Sequence, residues 1–146
     1  MRRIASALVQ HGRATEWLTS LVLLGFALAL MLPGETMAEP SFSTFDGIGF
    51  DDAMVSTPLA LIAAMRLVAL YINGSWRRTP TLRMAGAVVG AGIFGFLAMA
   101  FGWPYVIGAA VAPSTGAGTY TVLALFEILA AYRSGADARL AHIFGH

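Results

Sequence analysis

Four apolar stretches, at residues 17–33, 54–72, 84–103 and 117–133, are joined by connections that alternate between arginine-bearing and arginine-free. All nine basic residues are arginine. Arg2, Arg3 and Arg13 precede the first stretch; Arg77, Arg78 and Arg83 separate the second from the third; Arg133 and Arg139 close the fourth and follow it. Segment 34–53 holds five of the eight acids (Glu35, Glu39, Asp46, Asp51, Asp52), and 104–116 has no charge. An excess of Lys and Arg marks the cytoplasmic loops of membrane proteins, and a helix needs roughly 17–25 apolar residues to cross the hydrocarbon core. The pattern predicts an all-α integral membrane protein. It forms one membrane domain, a four-transmembrane-helix bundle with both termini cytoplasmic, outer loops 34–53 and 104–116, and inner loop 73–83.

Composition points the same way. Hydrophobic residues make up 58% of the chain and charged residues 12%, against about 25% charged in a soluble domain. Too little polar surface remains to cover a water-soluble particle. Breakers punctuate the connections: Pro33-Gly34, Asn73-Gly74, Thr79-Pro80, then Pro104, Pro113 and Gly116. Trp17, Tyr71, Trp76, Trp103, Tyr105, Tyr120 and Tyr132 fall near span ends, where aromatic belts form. A competing reading takes Arg2, Arg3, the first apolar run and Thr36-Met37-Ala38 as a cleavable signal peptide. Cleavage would leave three spans without changing the sidedness of everything after residue 38. The absence of cysteine excludes disulfides, thiolate metal sites and cysteine nucleophiles.

Two ionisable residues interrupt the apolar stretches away from their ends, Arg66 and Glu127. Arg66 lies six residues before Ile72 and Glu127 six before Arg133. Both charges therefore sit roughly 9 Å above the inner boundary at 1.5 Å per residue. A lone arginine at mid-span costs on the order of 3 kcal/mol to insert. The shared depth predicts a bidentate Arg66–Glu127 ion pair that fixes helix register, with the second and fourth helices as neighbours. The alternatives are a proton or ion pathway through Glu127, or an Arg66 that reaches to the inner surface beside a protonated Glu127.

The third stretch carries small residues in two stripes, Gly86/Gly90 and Ala87/Ala91/Gly95. They make it either the central packing helix or a self-association face. In the outer loop, Phe42, Phe45, Asp46 and Phe50 form either an interfacial segment or a partner-docking surface. Ile4 and Leu8, and later Leu140, Ile143 and Phe144, suggest short amphipathic helices on the inner surface. His11, His142 and His146 have no metal-ligand spacing. No Ser/His/Asp grouping or phosphate-cradling glycine loop is present. The expectation is no catalytic residue, no metal, no cofactor and no nucleic-acid partner.

At Leu32-Pro33-Gly34-Glu35-Thr36, Arg66-Leu67-Val68-Ala69-Leu70 with Asn73-Gly74, Pro80 with Arg83, and Ser114-Thr115-Gly116, the chain resembles a loosely defined family. Its members are small multi-span proteins encoded by phages and prophages of proteobacteria. The resemblance runs over about residues 32–139 and rests on short motifs. In that pattern an acidic residue stands at the position of Glu127 and an arginine at Arg66. The chain departs from it at Asp51-Asp52, where an acidic residue followed by Trp-Gly is expected. The family carries no defined activity. The resemblance implies a phage-encoded protein of the bacterial inner membrane. The expected partners of this multi-pass chain are the lipid bilayer and other membrane subunits or further copies of itself. The leading expectation is a non-enzymatic structural or interaction subunit. Its rivals are a holin-like pore-former and a small ion or proton transporter using Glu127.

Overall fold

The structure, a computed structural model, describes residues 14–75 and 80–144, with the backbone alone at 73–75, 80, 137, 138 and 140–144. No strand occurs among the described residues. The described residues form five α-helices: α1 (Ala14–Leu30), α2 (Ser43–Ile48), α3 (Asp52–Ser75), α4 (Pro80–Val106) and α5 (Thr115–Phe144). Segments Asp52–Ile72 and Thr81–Val106 are long and apolar enough to cross a membrane, whereas α1 is apolar but shorter, with 17 residues. Helix α5 has 30 residues. Its hydropathy is diluted by Glu127 and by a start rich in Gly and Thr.

The long helices form a square with one open side. Helix α1 packs on α3, α4 packs on α5, and α1 meets α5; α3 and α4 barely touch. The residue pairings give the directions. Glu16 at the start of α1 meets Arg83 at the start of α4, Arg66 in the second half of α3 reaches Thr19 near the start of α1, and Gly116 and Gly135 of α5 meet Phe101 and Met84 of α4 in reverse order. Hence α1 and α4 run one way, α3 and α5 the other. The start of α4, the end of α3 and the far part of α5 share one end, which holds Arg66, Arg83, Arg133 and Arg139. Glu35, Glu39, Asp46, Asp51 and Asp52 lie at the opposite end.

Glycine lets α4 and α5 approach closely, but not the glycines singled out in the sequence. Gly102 faces the Cβ of Ala117, Gly116 lies under the Phe101 ring, and Gly135 lies against the Met84 sulfur. A side chain at Gly116 would place its Cβ 3.0 Å from Phe101 Cγ. Small residues permit this spacing, and dispersion contacts then hold the pair.

The 31–51 connection folds back over the acidic end. Met37 and Phe45 are buried, and Phe42 packs against Phe26, Phe45 and Phe101. Asp51 caps α3 by accepting from the Met54 amide at 2.7 Å, and Asp52 accepts from the Thr36 amide at 3.0 Å. Gly49, with φ of 84°, ends α2 in the left-handed region.

Three boundaries differ from the sequence expectation. Helix α4 continues through Pro104 to Val106, α3 continues through Asn73-Gly74 to Ser75, and α5 runs unbroken to Phe144. Pro104 has no amide proton, so the carbonyl of Ala100, four residues earlier, loses its helical donor. The Thr44 hydroxyl supplies it instead, donating to Ala100 O at 2.7 Å. The expected amphipathic segment at 140–144 is thus the end of α5 rather than a separate helix. The segment containing Ile4, Leu8, His11, Arg2, Arg3 and Arg13 lies outside the described residues, as do Trp76, Arg77, Arg78 and His146.

Candidate functional site

Polar side chains gather in the middle of the square near its arginine end. Glu16, Thr19, Ser20, Arg66, Glu127 and Ser134 are all buried, and Glu127 is 1% exposed. Helix α1 contributes Glu16, Thr19 and Ser20 at i, i+3 and i+4, a spacing that puts them on one face. The Ser20 hydroxyl donates back to the Glu16 carbonyl at 2.7 Å, and Thr19 donates to the carbonyls of Thr15 and Glu16. This back-bonding satisfies hydroxyls that have no water to turn to.

Two ion pairs cross the square along its diagonals. Arg66 of α3 donates through Nη2 to Glu127 Oε1 of α5, and the same nitrogen lies 3.5 Å from Thr19 Oγ1. Arg83 of α4 grips Glu16 of α1 through Nε, 3.1 Å from each carboxylate oxygen, and through Nη2 to Oε1. Glu16 and Thr19 are three residues apart, so the diagonals lie about 4.5 Å apart in depth. Each links helices that hardly approach one another along their backbones. The pairs therefore brace the α1/α3 unit against the α4/α5 unit at this end.

Two sequence expectations are corrected here. The second and fourth apolar helices are not packed neighbours; Arg66 and Glu127 reach each other across the centre. The contact is also single rather than bidentate. Arg66 Nη1 and Glu127 Oε2 are buried without a hydrogen-bond partner. The long arginine side chain makes a diagonal reach possible, and Gly90 clears its path. A Cβ on Gly90 would stand 2.6 Å from both Glu127 Cδ and Oε1 and closer still to Arg66 Nη1. Gly90 therefore serves as the floor of the ion pair. Gly86 sits beside Arg66, with the Nε 4.0 Å from where a Cβ would be. Ala87 is buried and Ala91 half-buried, whereas Gly95 is exposed with open space before it.

The other sequence candidates separate. Phe45 is fully buried and Phe42 half-buried, and both belong to the aromatic plug at the acidic end; Asp46 and Phe50 are exposed. Tyr120 stacks on Phe94 and Phe101 within that plug instead of standing in an outer belt. Tyr71, Trp103, Tyr105 and Tyr132 are exposed. Sequence reasoning missed the Glu16–Arg83 diagonal. A polar i, i+3, i+4 triplet at the start of an otherwise apolar helix was the available signal.

On the open side, between α3 and α4, lies a cleft of about 450 Å³. Its walls are apolar, with Ile62, Met65 and Ala69 facing Leu82, Ala85 and Val89, and Glu16, Arg66 and Arg83 also line it. Among the described residues no group of three His, Asp or Glu converges as a metal site would require.

No family model matches this chain, and neither a curated protein nor a solved structure is similar enough to match it.

Proposed function

We propose that this chain is a non-enzymatic multi-pass protein of the bacterial inner membrane. All four long helices span the bilayer, and the arginine end faces the cytoplasm. The observation that carries this reading is the inverted distribution of polarity. Leu18, Leu21, Leu61, Met65, Val88 and Leu125 are each more than half exposed around the four helices, while the ion pairs and hydroxyls lie within. Soluble domains rarely expose such wide apolar surface. In lipid the arrangement is the expected one, because buried charges pair inside the bundle and apolar side chains meet acyl chains. Helix α5 falls below the usual hydropathy of a span, and the neutralisation of Glu127 by Arg66 offsets that deficit.

The role that fits is structural or interactive, as a small braced scaffold that docks with other membrane subunits, in keeping with the phage-type resemblance. Both diagonals are closed ion pairs, which favours a rigid brace over a conducting path. Extraction tests the reading. After expression in a bacterium, the chain should stay with the membrane pellet through an alkaline carbonate wash and float with lipid in a density gradient. Release into the carbonate supernatant would refute it.

A further inference from the structure

The two halves of the bundle carry their charges in opposite order. Helices α1 and α3 pack together as one half, and α4 and α5 as the other. Counted from the arginine end, the α1/α3 half presents Glu16 and then Arg66, negative before positive. The α4/α5 half presents Arg83 and then Glu127, positive before negative. In these groups each half is neutral. The two levels lie about one helical turn apart, ~4.5 Å, and Thr19 joins them. Its hydroxyl lies 3.5 Å from Arg66 Nη2 and donates to the Glu16 carbonyl at 3.2 Å. Glu16, Arg66 and Glu127 are buried, and the Arg83 side chain is 14% exposed. Four charges this close act strongly on one another, because a bundle interior screens charge far less than water does.

We infer that the four charges form one recognition code, in which the alternation of sign, and not only each pair, decides which halves mate and in which register. The inference rests on the membrane reading above, since helices in lipid associate without a hydrophobic drive and select partners by packing and polar contacts. In the native arrangement every charge stands beside an opposite one, both across the bundle and within its own half. Sliding the α1/α3 half one turn toward the arginine end would bring Arg66 level with Arg83. Sliding it the other way would bring Glu16 level with Glu127. Two α1/α3 halves from different copies, side by side in one orientation, would oppose Glu16 to Glu16 and Arg66 to Arg66. Each wrong arrangement gathers like charges where water cannot screen them. A single diagonal would only lose its partner in a slide; two diagonals of opposite order turn the slide into repulsion. Fixing register and partner is the best-attested use of buried polar groups.

Reversing one diagonal in the full chain, Glu16→Arg with Arg83→Glu, tests the code. The change keeps an opposite pair but sets like charges one turn apart within each half. Its cost is read by dodecyl sulfate unfolding in mixed micelles, in three backgrounds. With Arg66 and Glu127 in place, the reversal should raise the unfolding equilibrium constant by at least about tenfold more than in an Arg66→Met, Glu127→Leu background. In an Arg66→Glu, Glu127→Arg background the same reversal restores alternation and should lower the unfolding constant. Any misfit of the exchanged side chains at positions 16 and 83 is common to all three backgrounds. A reversal that folds only where the other diagonal is removed or also reversed supports the code. An equal cost in all three, or failure to fold in all three, would overturn it and leave two independent braces. Carbonate extraction of the parent separates the two readings: a parent that resists the wash while the costs are equal loses this inference only, and a parent released by the wash loses both.

Discussion

Replacing Gly90 by alanine should be far more damaging than the same change elsewhere in α4. The added methyl carbon would lie 2.6 Å from Glu127 Cδ and Oε1, about 1 Å inside the ordinary carbon contact distance of 3.5–4.0 Å. Arg66 and Glu127 must then separate or move off the α4 surface. Both are buried, so neither can turn to water. Breaking a buried ion pair costs about 3–5 kcal/mol. Alanine recovers roughly 1 kcal/mol of helix propensity over glycine, which leaves a net loss of ~2–4 kcal/mol. Gly95→Ala is the internal control, because nothing lies within 4 Å of its Cβ position. It should be neutral or stabilise by up to about 1 kcal/mol. Unfolding in mixed micelles with increasing dodecyl sulfate, followed by circular dichroism, measures both. Repeating Gly90→Ala in an Arg66→Met, Glu127→Leu background should abolish its penalty, since no pair is left to disturb. If Gly90→Ala is as mild as Gly95→Ala, or equally harmful without the pair, the glycine is not the floor of the diagonal.

The remaining predictions concern the braces and the plug. Arg66→Ala and Glu127→Ala should each destabilise by about 3–5 kcal/mol because each strands a buried charge. The double change should cost clearly less than the sum, by at least about 1 kcal/mol; additive losses in the same unfolding assay would contradict the pairing. Arg83→Ala should cost on the order of 3 kcal/mol by leaving Glu16 buried alone, and adding Glu16→Gln should recover part of the loss, which a melting curve would reveal. Thr44→Val should lower stability by about 1–3 kcal/mol, since it takes the substitute donor from the Ala100 carbonyl below Pro104. In a Pro104→Ala background that cost should shrink, as a restored amide serves the same carbonyl, and a cost of equal size in both backgrounds would disprove the substitution.

The long helices, and the one end at which the arginines gather, were legible because apolar length and arginine position are linear signals, each read without knowing what touches what. The depth match of Arg66 and Glu127 was legible for the same reason, since a fixed rise per residue converts spacing into height. Lateral arrangement was not. Equal depth is compatible with adjacency or with a diagonal, and only the open α3–α4 side and the bare surface of Gly90 decide for the diagonal. The small-residue stripe showed where α4 can be approached closely, but not whether a helix or a pair of charged side chains makes the approach. Pro104 suggested a helix end because its partner for the Ala100 carbonyl, Thr44, is 56 residues away from that carbonyl in the chain. Phe42 and Phe45 looked like surface residues because an acidic loop gives no local sign that it folds inward over an aromatic core.

Cysteine accessibility in intact cells tests the transmembrane arrangement most directly, and the chain has no native cysteine to confuse it. Ser41→Cys in the acidic connection and Ala136→Cys in the far part of α5 are both at exposed positions. A membrane-impermeant maleimide should modify Ser41→Cys in whole cells and reach Ala136→Cys only after the cells are lysed. Labelling of Ala136→Cys from outside, or equal labelling of both sites before lysis, would contradict a bundle that holds its guanidinium end in the cytoplasm.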